Sequence, residues 1–134
     1  MESKKTIPEL FLSNSFSECH KWAHYLSIYE THLSRFNNKK PVLLEIGVRK
    51  GGSLGIWKEY FGQESTIIGV DIDKKCSSLK THGFEIYIGD QSDDKLLDTI
   101  TEEHPHIDIV IDDGSHIASD IIKTFECLYS KISD

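Results

Sequence analysis

The amino-acid sequence predicts an α/β protein built on a Rossmann-like, doubly wound parallel sheet, and three observations carry that expectation. Four short apolar runs, VLLEIG, TIIGVDID, FEIYIGD and IDIVI, have the continuous character of strands covered on both faces. Between them lie segments whose apolar residues recur every three or four positions, as in a helix. Parallel strands require such crossovers, because a two-residue hairpin can join only antiparallel neighbours.

The elements follow in order. After a polar start, Phe16, Cys19, Trp22, Ala23, Leu26, Tyr29 and Leu33 keep helical spacing, which predicts one amphipathic helix over 15–35 within an N-terminal helical segment 1–36. NNKKP at 37–41 is a polar turn that leads into the first strand. Helices are then expected over 53–61, 73–82, 92–103 and 116–132, with Ser53 and Ser92 as helix caps, and strands over 66–73, 84–90 and 107–111. With 134 residues and no internal repeat, the chain has the size of a single domain, 1–134.

Composition narrows the function. Fifteen Lys and Arg stand against 22 Asp and Glu, for a formal charge of −7, and no basic stripe with interleaved aromatics is present, so no nucleic-acid partner is expected. Cys19, Cys76 and Cys127 are odd in number and form no C-x-x-C pair, which suits reduced thiols in a cytoplasmic protein. No apolar run reaches the roughly 20 residues of a membrane span, and MESKKTIPEL has no signal-type apolar core behind it, so no membrane partner is expected.

The chemistry gathers at the strand ends. Ligands of open parallel sheets sit outside the carboxyl ends of the strands, and there the four runs deliver Glu45, Asp71 with Asp73, Asp90, and Asp112 with Asp113. That many carboxylates on one rim cost solvation and repulsion unless a ligand or solvent compensates. Gly47, Gly51 and Gly52 lie in the loop after strand one, where glycine lets the backbone approach a ligand. Arg49 interrupts the G-x-G-x-x-G of dinucleotide folds, and no Gly-Lys-Ser/Thr of a P-loop is present. Asp71, at the tip of strand two, suits the ribose hydroxyls of an adenosine-containing ligand. The acidic rim repels pyrophosphate and favours a cationic sulfonium, as in S-adenosylmethionine.

Other residues admit plainer roles. Asp113 or Ser115 can be a helix cap and Asp-Gly an ordinary turn, although capping explains neither the second acid nor His116. His20 and His24 have i, i+4 spacing but no third metal ligand nearby, and His104 and His106 flank Pro105 in a connecting loop. Trp22 and Trp57 suit core packing or the mouth of a substrate cleft.

The stretches LLEIGVRKGGSLGIWKEYFG, IIGVDID, GDQSDDKLLDTI and IDIVIDDGSHIASDIIKTFECLYSKI together resemble class I S-adenosylmethionine-dependent methyltransferases. Within them the likeness is to the macrocin and mycinamicin type of sugar O-methyltransferase and the rhamnosyl O-methyltransferase and cephalosporin hydroxylase group. It runs from about residue 20 onward, and GDQSD and DDGSH are its most specific pieces. The resemblance implies a strand order of 3-2-1-4 and an O-methyltransferase acting on a sugar hydroxyl of a small molecule or glycan. It implies Glu45, Gly47, Gly51, Asp71, Asp90, Gln91 and Asp112 as cofactor-binding, Asp113 as a magnesium ligand and His116 as the general base. It further implies that a Gly-Gly turn, a fifth strand and a Glu-Asp pair follow KISD. This chain would then be an N-terminal portion lacking the C-terminal strands, with Ile109, Val110 and Ile111 on an open apolar edge through which copies can pair. A nicotinamide-dependent oxidoreductase and a non-catalytic cofactor-binding or assembly module are the alternatives.

Overall fold

A computed structural model describes residues 4–133; the expected segment 1–36 therefore begins, and the expected domain 1–134 both begins and ends, outside the described residues. The element order is α1 (Ile7–Ser13), α2 (Ala23–Leu33), β1 (Val42–Ile46), α3 (Gly52–Phe61), β2 (Thr66–Asp71), β3 (Glu85–Ile88), α4 (Asp94–Glu103), β4 (Ile109–Asp112) and α5 (Ala118–Leu128). All strand pairs are parallel, in the order β3-β2-β1-β4. That is the expected arrangement, with β1 at the centre and the order reversing between β1 and β4.

The sheet divides the interior into two cores. One face carries Leu43, Ile67, Ile86, Ile109 and Ile111 against α1, α3 and the 3-10 helix Lys74–His82. The other carries Leu44, Ile46, Ile68 and Val70 against Leu97 and Ile100 of α4 and Leu128 of α5. Neighbouring residues of β1 thus enter opposite cores, and this is why its run is apolar without alternation. Helix α3 buries Leu54, Ile56, Trp57, Tyr60 and Phe61, each such side chain worth roughly 1.5–3 kcal/mol relative to exposure.

The N-terminal region departs from the expected single helix. Asn14 caps a turn by accepting from the Phe16 amide at 3.0 Å and donating to the Ser17 carbonyl at 2.7 Å, and the chain stays irregular to Trp22. Ser and Asn side chains compete with the helix for backbone groups, so SNSFSE breaks a stretch whose apolar spacing alone reads as helical. Residues 7–13, read as a polar start, form a helix with a capping box between Thr6 and Glu9 and a proline in the first turn. The T-x-x-E signal stands in the sequence.

Further corrections are local. Asp93, not Ser92, caps α4 by accepting from the Lys95 amide. Gly51 precedes α3 in the left-handed region, while the Ser53 hydroxyl turns inward. Ile117 precedes α5 without a side-chain cap, so neither Asp113 nor Ser115 fills that place. The segment 73–82 is a 3-10 helix with an Asp73 cap. β4 is the last strand of the sheet, so its outer edge is open as expected, but its side chains are not exposed: Ile109 and Ile111 are buried, Val110 is half-buried, and Ile107 before the strand forms a parallel bridge with Ile132. Exposed apolar surface lies instead on α5 and its approach, at Ile117, Ile121, Ile122, Phe125 and Tyr129. No helix among the described residues is long and apolar enough to cross a membrane.

Candidate active-site cleft

The carboxyl ends of the strands open into a cleft of about 860 Å³. Its floor is set by the register: the Gly47 amide donates to the Val70 carbonyl on one side, and the Asp113 amide donates to the Ile46 carbonyl on the other. Asp71 and Asp113 therefore leave the sheet on opposite flanks of Gly47. They are two strand spacings of about 4.8 Å apart in the sheet direction. Gly47 has φ +90°, and a Cβ there would stand 2.1 Å from the Asp113 carbonyl oxygen. Only glycine satisfies both conditions.

Asp71 organises the glycine loop. Its Oδ2 accepts from the amides of Val48 at 2.8 Å and Arg49 at 2.9 Å, and its Oδ1 from Asp73 at 2.9 Å. Partial burial acts to raise this carboxyl, but the three amide donors outweigh it and hold the pKa below the usual carboxylate range. The residue lines the cleft as an ionised acceptor. Asp90 is exposed on the same wall and held ionised by the amide and hydroxyl of Ser92.

Gln91 joins two loops. Its amide nitrogen donates to Asp112 and to the Thr124 hydroxyl at 3.1 Å, and its carbonyl accepts from the Ser115 amide at 2.8 Å. At 6% exposure it ties GDQSD to DDGSH and to α5, its side-chain hydrogen-bonding groups engaged within the protein. Asp112 lines the cleft and is shaped by Gln91 and the Gly114 amide.

Two expected site residues do not face the cleft. Glu45 is fully buried on the α3 side, where it accepts from the Ser53 hydroxyl and from Trp57 Nε1. Gly51 faces Leu79 beneath the loop. Three strand tips, not four, supply carboxylates to the cleft wall.

The compensating cation is Lys21, a residue the sequence reading missed. Its side chain is 4% exposed, and its ammonium donates to Asp113 Oδ2 at 2.5 Å and stands 3.5 Å from Glu45. Burial acts against the charged ammonium, yet Glu45 and Asp113 together hold its pKa above the usual lysine value. A glutamate inside an apolar strand run was the available signal, since a buried carboxylate needs a partner. Nothing in the local spacing pointed to Lys21. The segment reaches the cleft by crossing the start of α3, where a Cβ on Gly52 would lie 2.4 Å from the Glu18 carbonyl.

His116 stands at the opposite end from Asp71, 72% exposed, with Nε2 3.7 Å from Asp113 Oδ1 and a left-handed φ of 59°. Asp113 offers one oxygen to the cleft while Lys21 holds the other. Among the described residues, no three His, Cys, Asp or Glu side chains gather to hold a metal ion. Asp113 fits as one ligand of a divalent cation, but the described residues do not complete such a site.

This strand order with its flanking helices is that of a methyltransferase fold. Sequence comparison narrows the class. The chain is 35% identical over 84% of its length to the 8-demethyl-8-alpha-L-rhamnosyl tetracenomycin-C 2'-O-methyltransferase of Streptomyces olivaceus. It is 33% identical over 78% of its length to the demethylmacrocin O-methyltransferase of Streptomyces fradiae. It is 36% identical over 78% to the mycinamicin VI 2''-O-methyltransferase of Micromonospora griseorubida. It spans about a third of the length of these relatives, 32%, 28% and 27% respectively. Among solved structures, the MycE methyltransferase of the mycinamycin pathway in complex with Mg and SAH superposes with a TM-score of 0.85 at 31% identity, covering 98% of this chain and 38% of that one. No family model matches. The homologues of this chain are sugar O-methyltransferases.

Proposed function

We propose that the chain forms the S-adenosylmethionine-binding part of an O-methyltransferase that modifies a sugar hydroxyl of a glycosylated small molecule or glycan. The observation that most supports this reading is the position of Asp71 and Asp113 on opposite flanks of Gly47 in one cleft. In this reading Asp71 accepts from the ribose hydroxyls, Gly47 admits the methionine end, and Asp90 and Asp112 border the nucleoside. Glu45, Gly51 and Gln91 act from beneath, by fixing Lys21, the loop turn and the DDGSH loop.

The acceptor hydroxyl approaches on the Asp113 side. His116 takes its proton as the oxygen attacks the sulfonium methyl in line; the C–O bond forms, the C–S bond breaks and the thioether leaves. The proposed magnesium would lower the hydroxyl pKa. Asp113 Oδ1 would be one donor for it, and no group of three His, Cys, Asp or Glu side chains among the described residues completes such a site. A cytoplasmic location belongs to the same proposal, supported by three unpaired cysteines. Pairing of copies is likewise proposed, and sedimentation at several concentrations tests it.

Titration calorimetry with S-adenosylhomocysteine and with NAD tests the central reading. Heat from the former alone is expected. Binding of NAD without S-adenosylhomocysteine would favour an oxidoreductase and overturn the proposal.

A further inference from the structure

We propose that Trp22 and Tyr25 form the platform on which the sugar ring of the acceptor lies, an inference that rests on the methyl-transfer reading above. Both side chains line the cleft that holds Asp113 and His116, and both are exposed, Trp22 at 71% and Tyr25 at 40%. Ligand clefts are lined predominantly by apolar and aromatic side chains, and these two rings present such surface on the cleft wall.

Helix formation does not account for Trp22. It occupies the N-cap of α2, where Ser, Asp or Asn stabilises a helix, and makes no capping hydrogen bond. Its position is set by Lys21, which is drawn inward to Asp113 while the next side chain faces solvent. One stretch of chain thus orients the carboxylate and offers an aromatic face beside it.

Tyr25 is rooted in the core, and Trp22 joins it through the ring of His24, 6.1 Å from Trp22 and 4.6 Å from Tyr25. Tyr25 meets Tyr29 edge-on at 6.5 Å, and Tyr29 meets the buried Trp57 at 5.3 Å, the same ring that donates to Glu45. A ring anchored in this way, as Tyr25 is, gives contact area at small entropic cost.

The surroundings select the ligand. Aromatic faces suit the C–H face of a ring, while Asp113 and His116 in the same cleft suit its hydroxyl rim. Five cleft carboxylates, Asp71, Asp90, Asp112, Asp113 and Asp120, outnumber the Lys21 and Arg49 cations that also line it and disfavour a phosphorylated sugar. A neutral glycoside satisfies both demands.

The test uses the full chain saturated with S-adenosylhomocysteine and titrated with methyl α-L-rhamnopyranoside, read by calorimetry and by the emission of the exposed Trp22. A saturable emission shift is expected. Trp22→Ala and Tyr25→Ala should each weaken glycoside affinity at least about tenfold, with Trp22→Phe retaining most of it and S-adenosylhomocysteine affinity moving less than about twofold. Cofactor-product binding without any glycoside response, or glycoside binding unchanged in both alanine variants, would overturn the platform alone. Failure to bind S-adenosylhomocysteine would overturn the functional reading, and the platform with it.

Discussion

Lys21 and Asp113 are 92 positions apart and meet at 2.5 Å, with Glu45 3.5 Å from the same ammonium. One buried cation therefore compensates the acid inside β1 and orients the acid beyond β4. Lys21→Met should leave Glu45 buried without its counter-charge. The expected loss is about 3–5 kcal/mol of stability, measurable as a fall in the urea midpoint. An unchanged midpoint would show that Glu45 is satisfied by Ser53 and Trp57 alone.

Gly47 is the contact point between the β1 and β4 loops. Gly47→Ala adds a Cβ into the Asp113 carbonyl and strains a φ of +90°. Overpacking of this kind costs about 1–3 kcal/mol. Thermal melts should record that loss, and S-adenosylhomocysteine affinity should fall with it; native-like affinity would place the cofactor elsewhere.

Asp71 links acid stability to the glycine loop. Its carboxyl is lower in the folded chain than in the unfolded one, so its contribution is full above the unfolded value and is lost as pH falls through the folded value. Denaturation measured across the acid range should show this decline below the ordinary carboxylate range. Asp71→Asn should remove that part of the pH dependence and cost about 1–3 kcal/mol near neutrality, because the amide cannot accept from all three backbone donors.

His116 is expected to act on the proton alone. His116→Ala should lower methyl transfer about 10²–10⁴-fold in an enzyme that turns over, while calorimetric affinity for S-adenosylhomocysteine stays near that of the parent chain. A parallel loss of affinity would instead make the residue part of the cofactor pocket.

Gln91 separates a structural role from a binding one. Gln91→Leu leaves the Ser115 amide and Thr124 hydroxyl without the side-chain partners they now have. The expected cost is about 1–3 kcal/mol, seen as accelerated hydrogen exchange in the 112–116 loop.

The sequence by itself determined the α/β class, the four strands, and the delivery of Asp71, Asp90, Asp112 and Asp113 to one rim. These depend on local period and on turn chemistry, which lie within a few residues of one another. Its one long helix over 15–35 failed because Asn14 offers the backbone competing hydrogen bonds that apolar spacing does not register. Tertiary structure alone decided that Glu45 turns away from the cleft, that Gln91 is a buried tie, and that Lys21 is the cation between two acids. A strand buried on both faces gives no periodic sign of which layer each side chain enters, and the partner of a buried charge is chosen by packing across distant segments.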